Sequence, residues 1–256
     1  MLSFLREVIR RMRHLPSGSE RDLSTSPGLD SFFSTHYRDH NSARLAHLAT
    51  LGLPLHNRHV LEVGSGPGDH TGFYLERGCR VFAIDARKEC LRALKERFPQ
   101  VKTAQIDMNE PAPLVKLGAF EIVHCYGLLY HLHKPQEALG VLAQVCSDLM
   151  VLETCVSPGA DCTLHFVQEN SDDFTQSITP LACRPTRAWV FAELKRHFEF
   201  VYETRTQPNH AEFPLDWSKP VADGSLFCAV FVAARQELDL PTLSPRILDS
   251  QVRAPE

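Results

Sequence analysis

Residues 59–71, HVLEVGSGPGDHT, constrain this chain more than any other stretch. The apolar opening reads as a buried strand, the three alternating glycines Gly64, Gly66 and Gly68 as a tight turn, and the remainder as the start of a helix. Glycine accepts positive φ and carries no Cβ, so a turn built this way lets a ligand lie against bare backbone and the helix N-terminus. A nucleotide-like ligand suits that geometry. The dinucleotide spacing G-x-G-x-x-G, begun at Gly64, requires glycine where Asp69 stands, which disfavours NAD and FAD. The pattern that does fit is E-x-G-x-G-x-G, from Glu62 to Gly68.

Strand and helix signals alternate through the segments that follow. Residues 60–63, 80–85, 102–106, 120–125 and 149–156 read as strands. Residues 69–77, 88–98 and 135–146 read as the helices between them, the first stopped by Gly78 and the second carrying Leu91, Leu94 and Phe98 on one face. Such alternation predicts an α/β fold with a mostly parallel sheet, helices on both faces and a ligand at the carboxyl ends of the strands. Upstream, Phe32, Phe33, Tyr37, Leu45, Leu48 and Leu51 predict a helix within 31–53, closed by Gly52 and Pro54. Downstream, residues 157–183 are polar and too long for a simple connection, which predicts a lid carrying substrate contacts. A helix over 184–198, with Pro185 near its start, and strands over 199–204 and 226–233 complete the pattern.

The organisation expected is a basic helix and linker over 1–30, one domain over 31–235 with its lid at about 157–183, and a tail over 236–256. Pro241, Pro245 and Pro255 predict that the tail is unstructured or loosely docked. On a helix, Leu2, Leu5, Ile9 and Met12 share a face flanked by Arg6, Arg10 and Arg13. That segment is read either as a helix packed on the domain or as a weak peripheral membrane contact. No stretch is long and apolar enough to span a bilayer.

Eight cysteines without a C-x-x-C pair predict reduced thiols and a cytoplasmic protein. His131 and His133 lack a matching ligand pair at short spacing, so no metal site is expected. A net charge of −4 offers no global attraction to nucleic acid or anionic lipid.

The Glu62–Gly68 pattern, and the segments after it, resemble the class I S-adenosylmethionine (SAM)-dependent methyltransferases. The resemblance implies a Rossmann-like, seven-stranded, mostly parallel sheet with an antiparallel strand near the C-terminal edge, and SAM as cofactor. It places the cofactor on Glu62, Gly64, Ser65, Gly66, Gly68, Asp85, Ala86, Asp107, Met108, Cys125 and Tyr126. Asp85 closes the second strand where an acid meets a ribose diol in dinucleotide-type folds. In similar enzymes an acid at the Asp107 position accepts from the adenine amino group while an apolar neighbour covers the ring. The upstream helix would cover one edge of that site, bringing Tyr37 and Arg44 within reach.

Methyl transfer to a hydroxyl gains from a general base, and His131, Tyr126 and His70 are the candidates, with His133 after the fourth strand, Glu153 ending the fifth and His165 in the lid as further candidates by location. The absence of Asn-Pro-Pro-Tyr after the fourth strand argues against amino-group acceptors. Tyr126-Gly-Leu-Leu-Tyr-His131 and Arg184-Pro-Thr resemble parts of the wobble-uridine modifying enzymes of tRNA. The layout also resembles bacterial small-molecule methyltransferases of sugar, surface-polysaccharide or secondary-metabolite pathways. The reading adopted is a polar small-molecule O-acceptor, with a tRNA acceptor and a non-catalytic SAM-binding scaffold as alternatives.

Overall fold

The computed structural model describes residues 28–219 and 226–255. The basic segment at residues 2–13 lies outside them. A short 3-10 turn, Asp30–Phe33, leads into helix α1 (Thr35–Thr50), which the Ser34 hydroxyl caps by accepting from the Tyr37 N–H.

Strand β1 (His59–Val63) then begins the alternation, followed by α2 (Thr71–Leu75), β2 (Arg80–Asp85), α3 (Lys88–Arg97) and β3 (Lys102–Gln105). Strand β4 (Phe120–Tyr126), α4 (Pro135–Val145) and β5 (Cys146–Val156) continue it. These five strands run parallel in the order β3-β2-β1-β4-β5. Val60, Leu61, Ile122 and Val123 are buried because both sheet faces are covered. One core packs α4 against Leu61, Val123 and Leu152, and the other packs α1 and α2 against Val60, Ile122 and Val151. Each fully buried Leu or Ile contributes about 1.5–3 kcal/mol.

Beyond β5 the segment expected as a lid folds as a hairpin, β6 (Leu164–Gln168) against β7 (Leu181–Pro185), with its tip over 169–180. The next helix, α5 (Arg187–Lys195), starts later than the sequence suggested. Pro185 ends β7 rather than opening the helix, and the Thr186 hydroxyl caps it by accepting from the Trp189 N–H. Helix α2 is also shorter than predicted, since residues 67–70 are spent on the turn.

Strands β8 (Phe200–Thr204) and β10 (Phe227–Ala234) form the expected antiparallel edge, β10 pairing with β5 and β8 with β10. Between them in sequence lies β9 (Thr206–Gln207). The main sheet has eight strands, one more than expected, because the tail returns: β11 (Leu243–Ser244) pairs with β8, and β12 (Val252–Arg253) pairs with β9. Buried Gln251 ties this tail down, accepting from the Trp217 indole and donating to the Thr204 carbonyl. Two-residue strands leave no alternation to read. Among the described residues no helix is long and apolar enough to cross a membrane.

Candidate active site

A crevice opens where β1, β2, β3 and β4 end, at the carboxyl edge of the sheet. Gly64, Gly66 and Gly68 take φ of 66°, 52° and 89°, a left-handed path that only glycine follows without strain. A Cβ on Gly68 would stand 2.9 Å from Leu94, and one on Gly66 3.2 Å from the Phe32 ring. The turn is thus pressed between α3 and the chain leading into α1, with Gly64 and Gly66 bordering the crevice.

Asp85 braces this turn from β2. Its Oδ2 accepts from the Gly66 N–H at 2.9 Å and its Oδ1 from the Arg87 N–H at 2.8 Å. Burial pushes its pKa up, against those two N–H groups. Each carboxylate oxygen keeps a further lone pair for a ligand hydroxyl. Ala86 borders the crevice beside it, and Asp107 and Met108 stand at the end of β3. Asp107 Oδ1 accepts from the Asn109 N–H, and Asn109 Oδ1 from the His133 N–H, which ties this wall to the segment after β4.

Glu62 lies beneath the turn, 1% exposed. Thr71 donates to its Oε2 at 2.6 Å, while Oε1 has no partner among the described residues. Burial pushes this carboxyl up to about 8, despite the Thr71 hydrogen bond. Glycine backbone, two carboxylates at strand ends, an apolar neighbour and an orphaned buried acid fit an adenosyl sulfonium of the kind the resemblance implies.

The remaining sequence candidates separate. Ser65 is buried and does not border the crevice. Cys125 and Tyr126 point to opposite sheet faces, Cys125 into the α4 core and Tyr126 into the α1 core, and the bordering residues are the following Gly127 and Leu128. His70 also lies off the crevice, in a buried chain. Its Nε2 is 3.1 Å from Asn41 Oδ1, its Nδ1 is 3.0 Å from His124 Nε2, and His124 Nδ1 is 3.0 Å from the Tyr74 hydroxyl. Burial and then the Arg44 charge lower His124 to about 3, and burial, aided by the Arg44 charge, lowers His70, so both rings stay neutral.

His131 does border the crevice. Its Nδ1 is 2.6 Å from Glu169 Oε2, and that carboxylate also accepts from Arg184 Nη2 and the Ser177 N–H, both at 2.8 Å. Burial opposes the charge on Glu169, but the bonds and charge of His131 and the bonds from Arg184 and Ser177 prevail and hold it at about 2. An ionised Glu169 is an acceptor only, so His131 Nδ1 carries a proton towards it, and in the neutral ring the acceptor nitrogen is then Nε2.

The roof comes from the hairpin tip, which the sequence suggested only as a generic lid. Arg87 Nη2 reaches the carbonyls of Ser171, Asp173, Gln176 and Ser177 at 3.0–3.4 Å, and its guanidinium lies 4.5 Å from the Phe174 ring centre. Phe32, Tyr37, Ile106, Leu132 and residues 174–178 complete the lining. About 640 Å³ is free of atoms, counted to the open mouth.

Residues 60–148 match the model of a family described as a methyltransferase domain. Curated relatives include the tRNA U34 carboxymethyltransferases of Vibrio cholerae, 32% identical over 120 residues (43% of this chain, 36% of the relative), and of Histophilus somni, 35% identical over 124 residues (45% and 36%). The chain spans about a third of the length of these relatives. Among solved structures, the N-terminal domain of EvdMO1 in the presence of SAH and D-fucose is similar at TM-score 0.58, with 21% identity over 79% of this chain and 85% of that one. Magnesium protoporphyrin IX methyltransferase from Synechocystis PCC 6803 with bound SAM is similar at TM-score 0.52, with 13% identity over 81% and 84%. At such identities these likenesses speak for the fold.

Proposed function

We propose, from the premise that this chain belongs to the class I SAM-dependent methyltransferase family, that it transfers a methyl group from SAM to a hydroxyl of a polar small molecule. The observation that carries the reading is the crevice itself, with the Gly64–Gly68 turn, Asp85 and Asp107 converging under the hairpin tip. When bound, SAM supplies an electrophilic methyl group on a positively charged sulfur.

Asp85 would accept from the ribose hydroxyls, and Asp107 from the adenine amino group, with Met108 against the ring. Glu62 places a carboxyl beneath the turn that gains its charge when a cationic ligand arrives. Gly127 offers unencumbered backbone on the β4 side. His131 is the candidate base: Glu169 fixes its tautomer, which leaves Nε2 to take a hydroxyl proton. The hairpin tip excludes water once closed, and holding acceptor and donor in line supplies much of the rate.

Thermal unfolding with SAM and with its demethylated product tests the cofactor half. At a hundredfold the dissociation constant a ligand adds about 2.7 kcal/mol, and no shift with either sinks the proposal. For the catalytic half, His131→Gln should lower kcat on an acceptor hydroxyl while SAM affinity is kept. The curated relatives favour a second reading, transfer to a wobble uridine of tRNA. Binding to tRNA that weakens steeply with salt would support it.

A further inference from the structure

A second group of reactive side chains gathers where α1 meets the segment before β10. His36 and His40 are one helical turn apart on α1, so both face the same way. Glu212 reaches between them, its Oε1 3.1 Å from His36 Nε2 and its Oε2 3.4 Å from His40 Nδ1. Beneath lies Cys228, fully buried, whose N–H donates to the Glu212 carbonyl at 2.7 Å and so fixes the two positions relative to each other. His210 stacks on the His40 ring, centres 4.6 Å apart.

His40, Glu212 and Cys228 each bring one ligand atom to within 4.8 Å of the others. Although His40 is only 6% exposed, its Nε2 has no partner among the described residues. The nitrogen that faces Glu212 is Nδ1, 3.4 Å from Oε2.

We propose that His40, Glu212 and Cys228 bind a divalent ion of the zinc class, with one coordination position left open. The donor set is one nitrogen, one oxygen and one sulfur, the mixture zinc accepts, and three protein ligands with a free fourth position is its usual catalytic arrangement. Around a tetrahedral ion with bonds of about 2.0–2.3 Å, ligand atoms stand roughly 3.5 Å apart, so modest side-chain rotation closes the set. Carboxylate and thiolate together would balance the charge of the ion. His36 is exposed and Glu212 half-buried at the outer side of the set. No short spacing in the sequence announces the set, since its members come from α1, the 208–219 loop and β10. This inference stands apart from the methyl-transfer reading.

The test titrates the full chain, metal-free and reduced, with Zn2+ by calorimetry and with Co2+ by absorbance. One equivalent of Zn2+ should bind, and Co2+ should develop thiolate-to-metal charge-transfer absorption. Cys228→Ala should abolish that absorption while Cys155→Ala, whose sulfur lies 3.4 Å from that of Cys228, leaves it intact. His40→Gln should weaken Zn2+ by more than about tenfold, and His36→Gln should keep the bound equivalent. If Cys228→Ala does not fold, Glu212→Gln at its half-buried position must produce the tenfold loss instead. Absence of a saturable equivalent, or binding indifferent to these ligand substitutions, overturns the proposal.

Discussion

Arg44 on α1 and Glu153 on β5 form an ion pair, Nη2 to Oε2, at 2.7 Å, with side chains 3% and 0% exposed. Arg44 also donates to Asn41 Oδ1 and packs 3.3 Å from where a Cβ on Gly127 would stand. The pair therefore joins the helix that walls the crevice to the strand behind it. Removing one partner strands the other charge in the core, so Arg44→Met should cost about 3–5 kcal/mol in urea unfolding. The double variant Arg44→Met/Glu153→Leu, which buries no charge, should recover most of that loss. Equal destabilisation of single and double variants would show that the pair does not act as a unit.

Arg87 holds the roof by four carbonyls and a cation–π contact. Lysine has one point charge and no planar fork, so it cannot replace these contacts together. Both Arg87→Ala and Arg87→Lys should speed amide hydrogen exchange in residues 169–180 while leaving β1, β4 and β5 protected. Unchanged exchange in the tip would mean that the loop is held by its own turns.

The parallel sheet and its ligand edge were legible because β1, β2, β4 and β5 are apolar runs separated by helical periodicity, and Asp85 and Asp107 fall where such runs end. Cys125 and Tyr126 were expected to meet the cofactor through backbone carbonyls; strand alternation carries their side chains into the two cores, which removes the Tyr126 hydroxyl as a base, and Gly127 faces the crevice. His70 carried no sign that Asn41 and His124 would enclose it. The roof was illegible for a related reason: Arg87 and Ser171 are 84 residues apart, and no local pattern records their meeting. The tail was misread because β11 and β12 draw their order from Trp217, Gln251 and Thr204 rather than from periodicity of their own.

Asp85 is the sharpest test of the cofactor reading. Hydrogen bonds to a charged group contribute about 1.5–3 kcal/mol, so Asp85→Ala should weaken SAM binding by about 10- to 150-fold. Calorimetry with SAM measures it. Because Asp85 also accepts from Gly66 and Arg87 N–H groups, some loss of stability should accompany the change. Full affinity in a folded variant would remove the ribose contact.

Glu62 gives stability a pH signature. Its folded pKa of about 8 lies above the ordinary carboxyl value of 4.5, so the folded chain keeps a proton that the unfolded chain releases. That contribution is complete below about pH 4.5, shrinks as pH rises, and is gone above about pH 8. Glu62→Gln is uncharged throughout, so its stability relative to the parent should rise across this window. Urea midpoints of both proteins at either end of the window measure the difference. A constant offset between them would mean that Glu62 titrates normally.

Glu169 works in the opposite direction and links stability to chemistry. Its folded pKa of about 2 lies below the ordinary 4.5, so its contribution is present above about pH 4.5 and lost as pH falls toward 2. Glu169→Gln should flatten that acid limb of the stability profile. At neutral pH the same change offers His131 Nδ1 an amide that can donate as well as accept, so the ring is no longer confined to one tautomer. If His131 Nε2 takes the acceptor proton, kcat should fall by about 100-fold or more while the KM for SAM moves little. If Glu169 serves only to close the hairpin, both constants should shift together and hydrogen exchange in the tip should rise. Steady-state kinetics and exchange on the same variant separate these outcomes.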